Sequence, residues 1–146
     1  MFDLAEYSER LSDKLSPSTR LSEHFKASEL SCACCGRVFI SPVVLEMLER
    51  LREKLGCAIL LNPREGMGSG YRCPAHNSDI RGATHSRHCL GLAVDVPLPT
   101  KYLHLPEEFA FIVESVARQV RGGFHYYPEN RFAHMDAWAW PPNRRW

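Results

Sequence analysis

Residues 91–96, Gly-Leu-Ala-Val-Asp-Val, alternate with the period of a strand, so that Leu92, Val94 and Val96 point one way and Ala93 and Asp95 the other. An acid between two valines limits what the chain can fold into. One side of this strand has to be core, and the other has to compensate a carboxylate, because a charge taken from water without a partner is costly. His85 and His88 stand just upstream. His134 lies on a later segment that alternates in the same way, with His134 and Asp136 on one face and Ala133, Met135 and Ala137 on the other.

The other layers are legible from helical periodicity. Over 41–55, Ser41 reads as the cap, Pro42 as the first helical residue and Gly56 as the stop, with Val44, Leu45, Leu48, Leu51 and Leu55 forming one buried face. "LPEEFAFIVESVARQV" reads as a second amphipathic helix with Phe109, Ile112, Val113 and Val116 inward, ended by Gly122 and Gly123. "CAILL" at 57–61 reads as a short buried strand, and "FHYYP" and "RFAHMDAWAW" as two strands joined by the turn "PEN". "LSEHFKASEL" reads as short helical turns, with Ser22 and Ser28 as caps. Gly66, Gly68 and Gly70, with Pro63 and Pro74, mark a loop; no Lys-Ser/Thr follows, so the glycines serve backbone freedom rather than phosphate binding. Helices with a small, mostly antiparallel sheet make the class α+β. A length of 146 residues suits one domain, 1–146, with residues 1–40 as an arm packed on it.

Composition excludes several functions. With 45% hydrophobic and 24% charged residues the chain is not disordered, and a net charge of +1 without clustered basic residues gives neither nucleic acid nor an anionic membrane a surface to bind. The N-terminal stretch lacks an apolar core of the secretory kind, and the longest apolar runs are too short to span a bilayer. The expectation is a soluble monomer made in the cytoplasm, needing a separate means of release if it acts outside. Six cysteines in such a chain are expected as reduced thiols. "CACC" at 32–35 has the look of half a zinc knuckle, but Cys57, Cys73 and Cys89 are scattered singly in sequence, which favours buried small thiols over a metal site.

Imidazole and carboxylate suit zinc, and three protein ligands would leave the fourth tetrahedral position open, the pattern of catalytic rather than structural sites. His88, Asp95 and His134 are the candidates, though each alone is as compatible with an ordinary packed or surface side chain. What joins them is local detail: Ser86 two before His88, Gly91 three after, and Ala93 two before Asp95.

"SRHCLGLAVD" resembles the Ser-x-His-x-x-Gly-x-Ala-x-Asp signature of the M15 zinc peptidases, the D-Ala-D-Ala carboxypeptidase and L,D-endopeptidase group. "SGYRCPAHN" at 69–77 is similar to the family's Ser-Gly-Tyr-Arg block, and "YPENRFAHMD" at 127–136 to its ending. "LSEHFKASELSCACCGR" is similar to the arm of phage-borne members. The resemblance implies a hedgehog/DD-peptidase-like fold and one zinc per chain on His88, Asp95 and His134. It also implies hydrolysis of peptide bonds beside D-amino acids in peptidoglycan, after phage or prophage lysis or from a virion. Arg72 would hold a developing oxyanion or a substrate carboxylate. Many members carry an acid three residues before the last histidine, where this chain has Arg131, so the base role is open between Asp136, which is also a candidate to support a metal ligand from behind, and His125. A non-catalytic wall-peptide-binding module is the alternative. A cysteine zinc ribbon binding nucleic acid would need a second cysteine pair and a basic face.

Overall fold

The computed structural model describes residues 12–62, 68–82 and 86–137. The start of the arm up to residue 11, Pro63 and Gly66 of the glycine loop, His85, the continuation of the last strand through 138–140 and the C-terminal basic tail lie outside them. The described residues form a single α+β domain with four helices, α1 (Ala27–Leu30), α2 (Pro42–Leu55), α3 (Pro74–Asp79) and α4 (Pro106–Gln119), and a 3-10 turn at Thr100–Tyr102. Strands β1 (Ala93–Pro97), β2 (Phe124–Tyr127) and β3 (Phe132–Asp136) make one antiparallel sheet in the order β1-β3-β2.

Helix α2 begins and ends where its caps dictate. The Ser41 hydroxyl accepts the Val43 N–H, Pro42 opens the helix, and Gly56 closes it with φ of 67°, its N–H on the Arg52 carbonyl. The buried face is Val44, Met47, Leu48, Leu51 and Leu55, so Met47 takes the place the periodicity gave to Leu45, which is half-buried. Residues 44, 47, 48, 51 and 55 are spaced by three and four and share one stripe, which position 45 borders. Helix α4 makes the same exchange: Ala117 is buried with Phe109, Val113 and Val116, and Ile112 lies at the margin. Full burial of each large aliphatic on these faces is worth about 1.5–3 kcal/mol.

Helix α4 packs on β2 and β3 with α2 behind it. The core face of the sheet pairs Val94 with Met135 and Val96 with Ala133, all fully buried. The opposite face carries Asp95 directly across from His134, and His134 directly across from His125, so one row of the sheet presents these three residues in line. The arm is tied down by Phe25 and Leu30 in the core, and by Glu49, which accepts the Ser22 hydroxyl at 2.7 Å and the His24 N–H at 2.8 Å. Ser22 therefore serves a long-range contact rather than a cap, and Ser28 falls inside α1, whose cap position is Lys26.

Residues 57–61 do not pair as a strand. Ile59 and Leu61 are buried and Leu60 is 68% exposed, so the run keeps an in-and-out alternation without a ladder partner. Apolar composition specified its burial, and pairing depended on neighbours that are not adjacent in sequence. Among the described residues no helix is long and apolar enough to cross a membrane.

Candidate metal centre

Each position of the Ser-x-His-x-x-Gly-x-Ala-x-Asp stretch has a physical task. The Ser86 hydroxyl accepts the His88 N–H at 3.3 Å and shapes the turn that delivers the histidine. Gly91 has φ of 69°, and a Cβ there would stand 2.6 Å from the Phe39 carbonyl oxygen, so only glycine fits. Ala93 faces Asp136 across the β1–β3 ladder with no exposure, and its small side chain leaves room for that carboxylate. Asp95 follows one register step along the same face, its N–H on the Ser69 carbonyl at 2.8 Å.

His88, 5% exposed, uses Nδ1–H to donate to the Gly70 carbonyl at 2.8 Å, which turns Nε2 toward Asp95. His88 Nε2 lies 3.4 Å and His134 Nδ1 3.0 Å from Asp95 Oδ1, and one donor atom from each of the three residues falls within 4.8 Å of the others. A tetrahedral zinc with bonds of about 2.0–2.1 Å sets its ligand atoms roughly 3.3 Å apart, so the donor set fits that ion.

Asp136 is engaged elsewhere. It is 4% exposed, and its Oδ1 accepts the Gly123 N–H at 2.7 Å. Its Oδ2 accepts His134 Nε2–H at 2.8 Å and faces Arg87 at 3.2 Å. A Cβ on Gly123 would approach Asp136 Oδ2 to 2.7 Å, so this glycine, read from sequence only as a helix stop, also makes the pocket for the carboxylate. Burial opposes the charge on His134, but hydrogen bonds to Asp136 and Asp95 outweigh it and lift the imidazole to about 9. Burial likewise pushes Asp95 up, and hydrogen bonds from His134 and His88 overcome it and hold the carboxyl well below the usual range. Asp136 is lowered by the same balance, His134 first and then the Gly123 N–H and Arg87 working against burial.

Arg72 is half-buried; its N–H reaches the His88 carbonyl at 3.3 Å and its guanidinium donates to Asn77 Oδ1 at 3.1 Å. His125 is exposed beside Tyr127, their rings 4.4 Å apart. None of the three donors lines the large cavity of about 620 Å³ at the far ends of β1 and β3, whose walls include Leu60, Pro97, Lys101 and Phe132. Sequence reasoning missed Arg87, although it occupies the variable position of Ser-x-His, and the Gly70 carbonyl, for which a sequence carries no mark. It also missed the company of "CACC": Cys73 folds onto Cys32, Cys34 and Cys35, with all four sulfurs within 4.8 Å of one another, so these thiols are not scattered.

Two imidazoles and a carboxylate converging from a turn and two paired strands form a candidate three-donor metal centre, an arrangement that would leave a position open for chemistry. The chain belongs to the Peptidase M15 family, whose sequence pattern matches residues 23–136 and whose members are zinc-dependent peptidases. No curated protein matches it.

Proposed function

We propose that this peptidase acts on peptidoglycan, hydrolysing a peptide bond beside a D-amino acid in stem peptides or cross-links, with one zinc on His88, Asp95 and His134. The observation that carries the reading is the donor set itself: His88 Nε2 and His134 Nδ1 face one oxygen of Asp95, while each ring's other nitrogen is already committed, to the Gly70 carbonyl and to Asp136. Zinc held there would polarise the scissile carbonyl and lower the pKa of a bound water toward neutrality.

The chain's own residues supply the rest. Asp136 fixes the ring of His134, since both its oxygens are taken by His134, Gly123 and Arg87. His125, on the same sheet face and open to solvent, takes the proton from the attacking water at an imidazole nitrogen and returns it to the departing amine. Arg72, steadied by Asn77, holds substrate oxygen, either the carbonyl as it gains charge or a terminal carboxylate. The likeness of the arm to phage-borne members supports a wall-lysing role on release from a phage- or prophage-carrying cell.

The test is digestion of purified peptidoglycan by protein as purified, after chelation, and after zinc return, with fragments read by mass. Loss of cleavage on chelation and recovery with zinc is expected. Release of terminal D-alanine would make the enzyme a carboxypeptidase, and loss of cross-linked dimers an endopeptidase. Stoichiometric zinc without cleavage of any wall type would instead make the chain a binding module.

Two further outcomes follow from the site. Asp136→Ala is expected to weaken zinc binding by about 10–100-fold, because the imidazole it orients is freed to turn; competition against a chromophoric chelator measures this, and unchanged affinity removes the orienting role. Zinc binding should also compete with a proton. His134 in the metal-free protein holds its proton up to about pH 9, and zinc must displace it from Nδ1. Affinity should therefore rise as pH rises, by about tenfold per unit for this proton, and the His134 contribution should level off above about pH 9. A flat profile between pH 6 and 9 would contradict it.

A further inference from the structure

The cysteine cluster lies outside the centre just described. Cys32, Cys34 and Cys35 sit on the loop after α1, and Cys73 arrives from the residue before α3, 41 positions after Cys32. Cys34 Sγ is 3.7 Å from Cys32 Sγ and 3.2 Å from Cys73 Sγ, and all four sulfurs lie within 4.8 Å of one another. Zinc–sulfur bonds of about 2.3 Å put the edges of a four-thiolate tetrahedron near 3.8 Å. A disulfide needs sulfurs about 2.05 Å apart, and all six cysteines are free.

The surroundings suit thiolates. Cys32, which is buried, accepts the Cys73 N–H on its sulfur at 3.3 Å, and Cys73 Sγ accepts the His76 N–H at 3.4 Å. His76 Nδ1 lies 3.7 Å from Cys32 Sγ. Sulfurs that accept backbone N–H bonds, as those of Cys32 and Cys73 do, are set up to carry negative charge, and a cation among the four sulfurs would balance it.

We propose that Cys32, Cys34, Cys35 and Cys73 hold a second metal ion, a structural zinc closed by four thiolates. Its work is bracing. Cys73 follows Arg72 directly, and Gly70, whose carbonyl orients His88, stands three residues before it. The neighbouring contact from the Tyr71 N–H to the Leu30 carbonyl, 2.9 Å, joins the same two segments. The ion would thus lock the cysteine loop to the segment that carries Arg72 and supports the catalytic metal. The zinc content of this cluster does not depend on the proposed peptidase activity.

Cobalt distinguishes the two centres, because only thiolate ligation gives an intense sulfur-to-cobalt charge-transfer band. Metal-free full-length protein, reduced and refilled with cobalt, is expected to show that band, and zinc analysis a second equivalent per chain. His88→Ala should keep the band and one zinc. Cys73→Ser should lose the band; should that variant not fold, Cys34→Ser, at an exposed thiol, supplies the same reading with circular dichroism as the folding check. No charge-transfer band in the reduced wild type, a band unaltered in the folded cysteine variants, or a Cys34–Cys73 disulfide in protein purified without oxidant would each overturn the proposal. Failure of the peptidase reading would leave the band in place.

Discussion

Replacing His88, Asp95 or His134 by alanine is expected to remove the catalytic zinc and lower turnover by at least about a thousandfold, since metal-ion catalysis supplies several kcal/mol of transition-state stabilisation and each 1.4 kcal/mol is tenfold. Two remaining donors cannot hold the ion against competing water, because each ring is aimed by a separate contact and, among the described residues, no fourth donor joins His88, Asp95 and His134. The three variants should differ in fold stability even though they agree in activity. His88→Ala also removes the Nδ1 contact to Gly70, and His134→Ala leaves the buried Asp136 with only Gly123 and Arg87. Asp95→Asn is a cleaner companion to the alanine series, because it keeps the shape of the side chain and removes its charge. Zinc by elemental analysis alongside peptide release from peptidoglycan checks the set. Full zinc occupancy of the His-Asp centre in any one variant would take that residue out of the ligand set; for this count the cysteine cluster is silenced with Cys34→Ser.

The parts of this molecule legible in its sequence are those set by neighbours a few residues away. Ser41, Pro42 and Gly56 bound α2 because caps act within a turn, and Asp95 and His134 share a face because the strand period is two. The segment at 57–61 misled for a related reason: its alternation is real, but a ladder needs a partner that local pattern does not specify. What stayed hidden acts across long separations. Cys73 meets "CACC" only because α1 and the Ser-Gly-Tyr-Arg segment are hydrogen-bonded through Leu30 and Tyr71. Gly123 was read as a helix terminator, and its second task appears only when β2 is laid beside β3 and the Asp136 carboxylate occupies the space a side chain would fill. Arg87 reaches Asp136 through the same closure of the sheet.

His125→Ala is expected to retain zinc and fold normally while losing about 10²–10⁴-fold in turnover, the usual worth of a positioned acid–base group. His125 has the access to solvent that Asp136 lacks. Both oxygens of Asp136 are engaged, by an N–H, an imidazole and a guanidinium, in a site almost closed to solvent, which leaves the carboxylate poorly placed to meet an incoming water. His125 stands directly across from His134 on the open face, where substrate must lie, and its packing partner is the Tyr127 ring. The two variants together separate the roles further. Asp136→Ala should be rescued in part by saturating zinc, because its defect is one of metal affinity, whereas no amount of zinc should restore His125→Ala. Unchanged turnover in His125→Ala would return the base role to Asp136, and would require that carboxylate to give up its hold on His134 during the reaction.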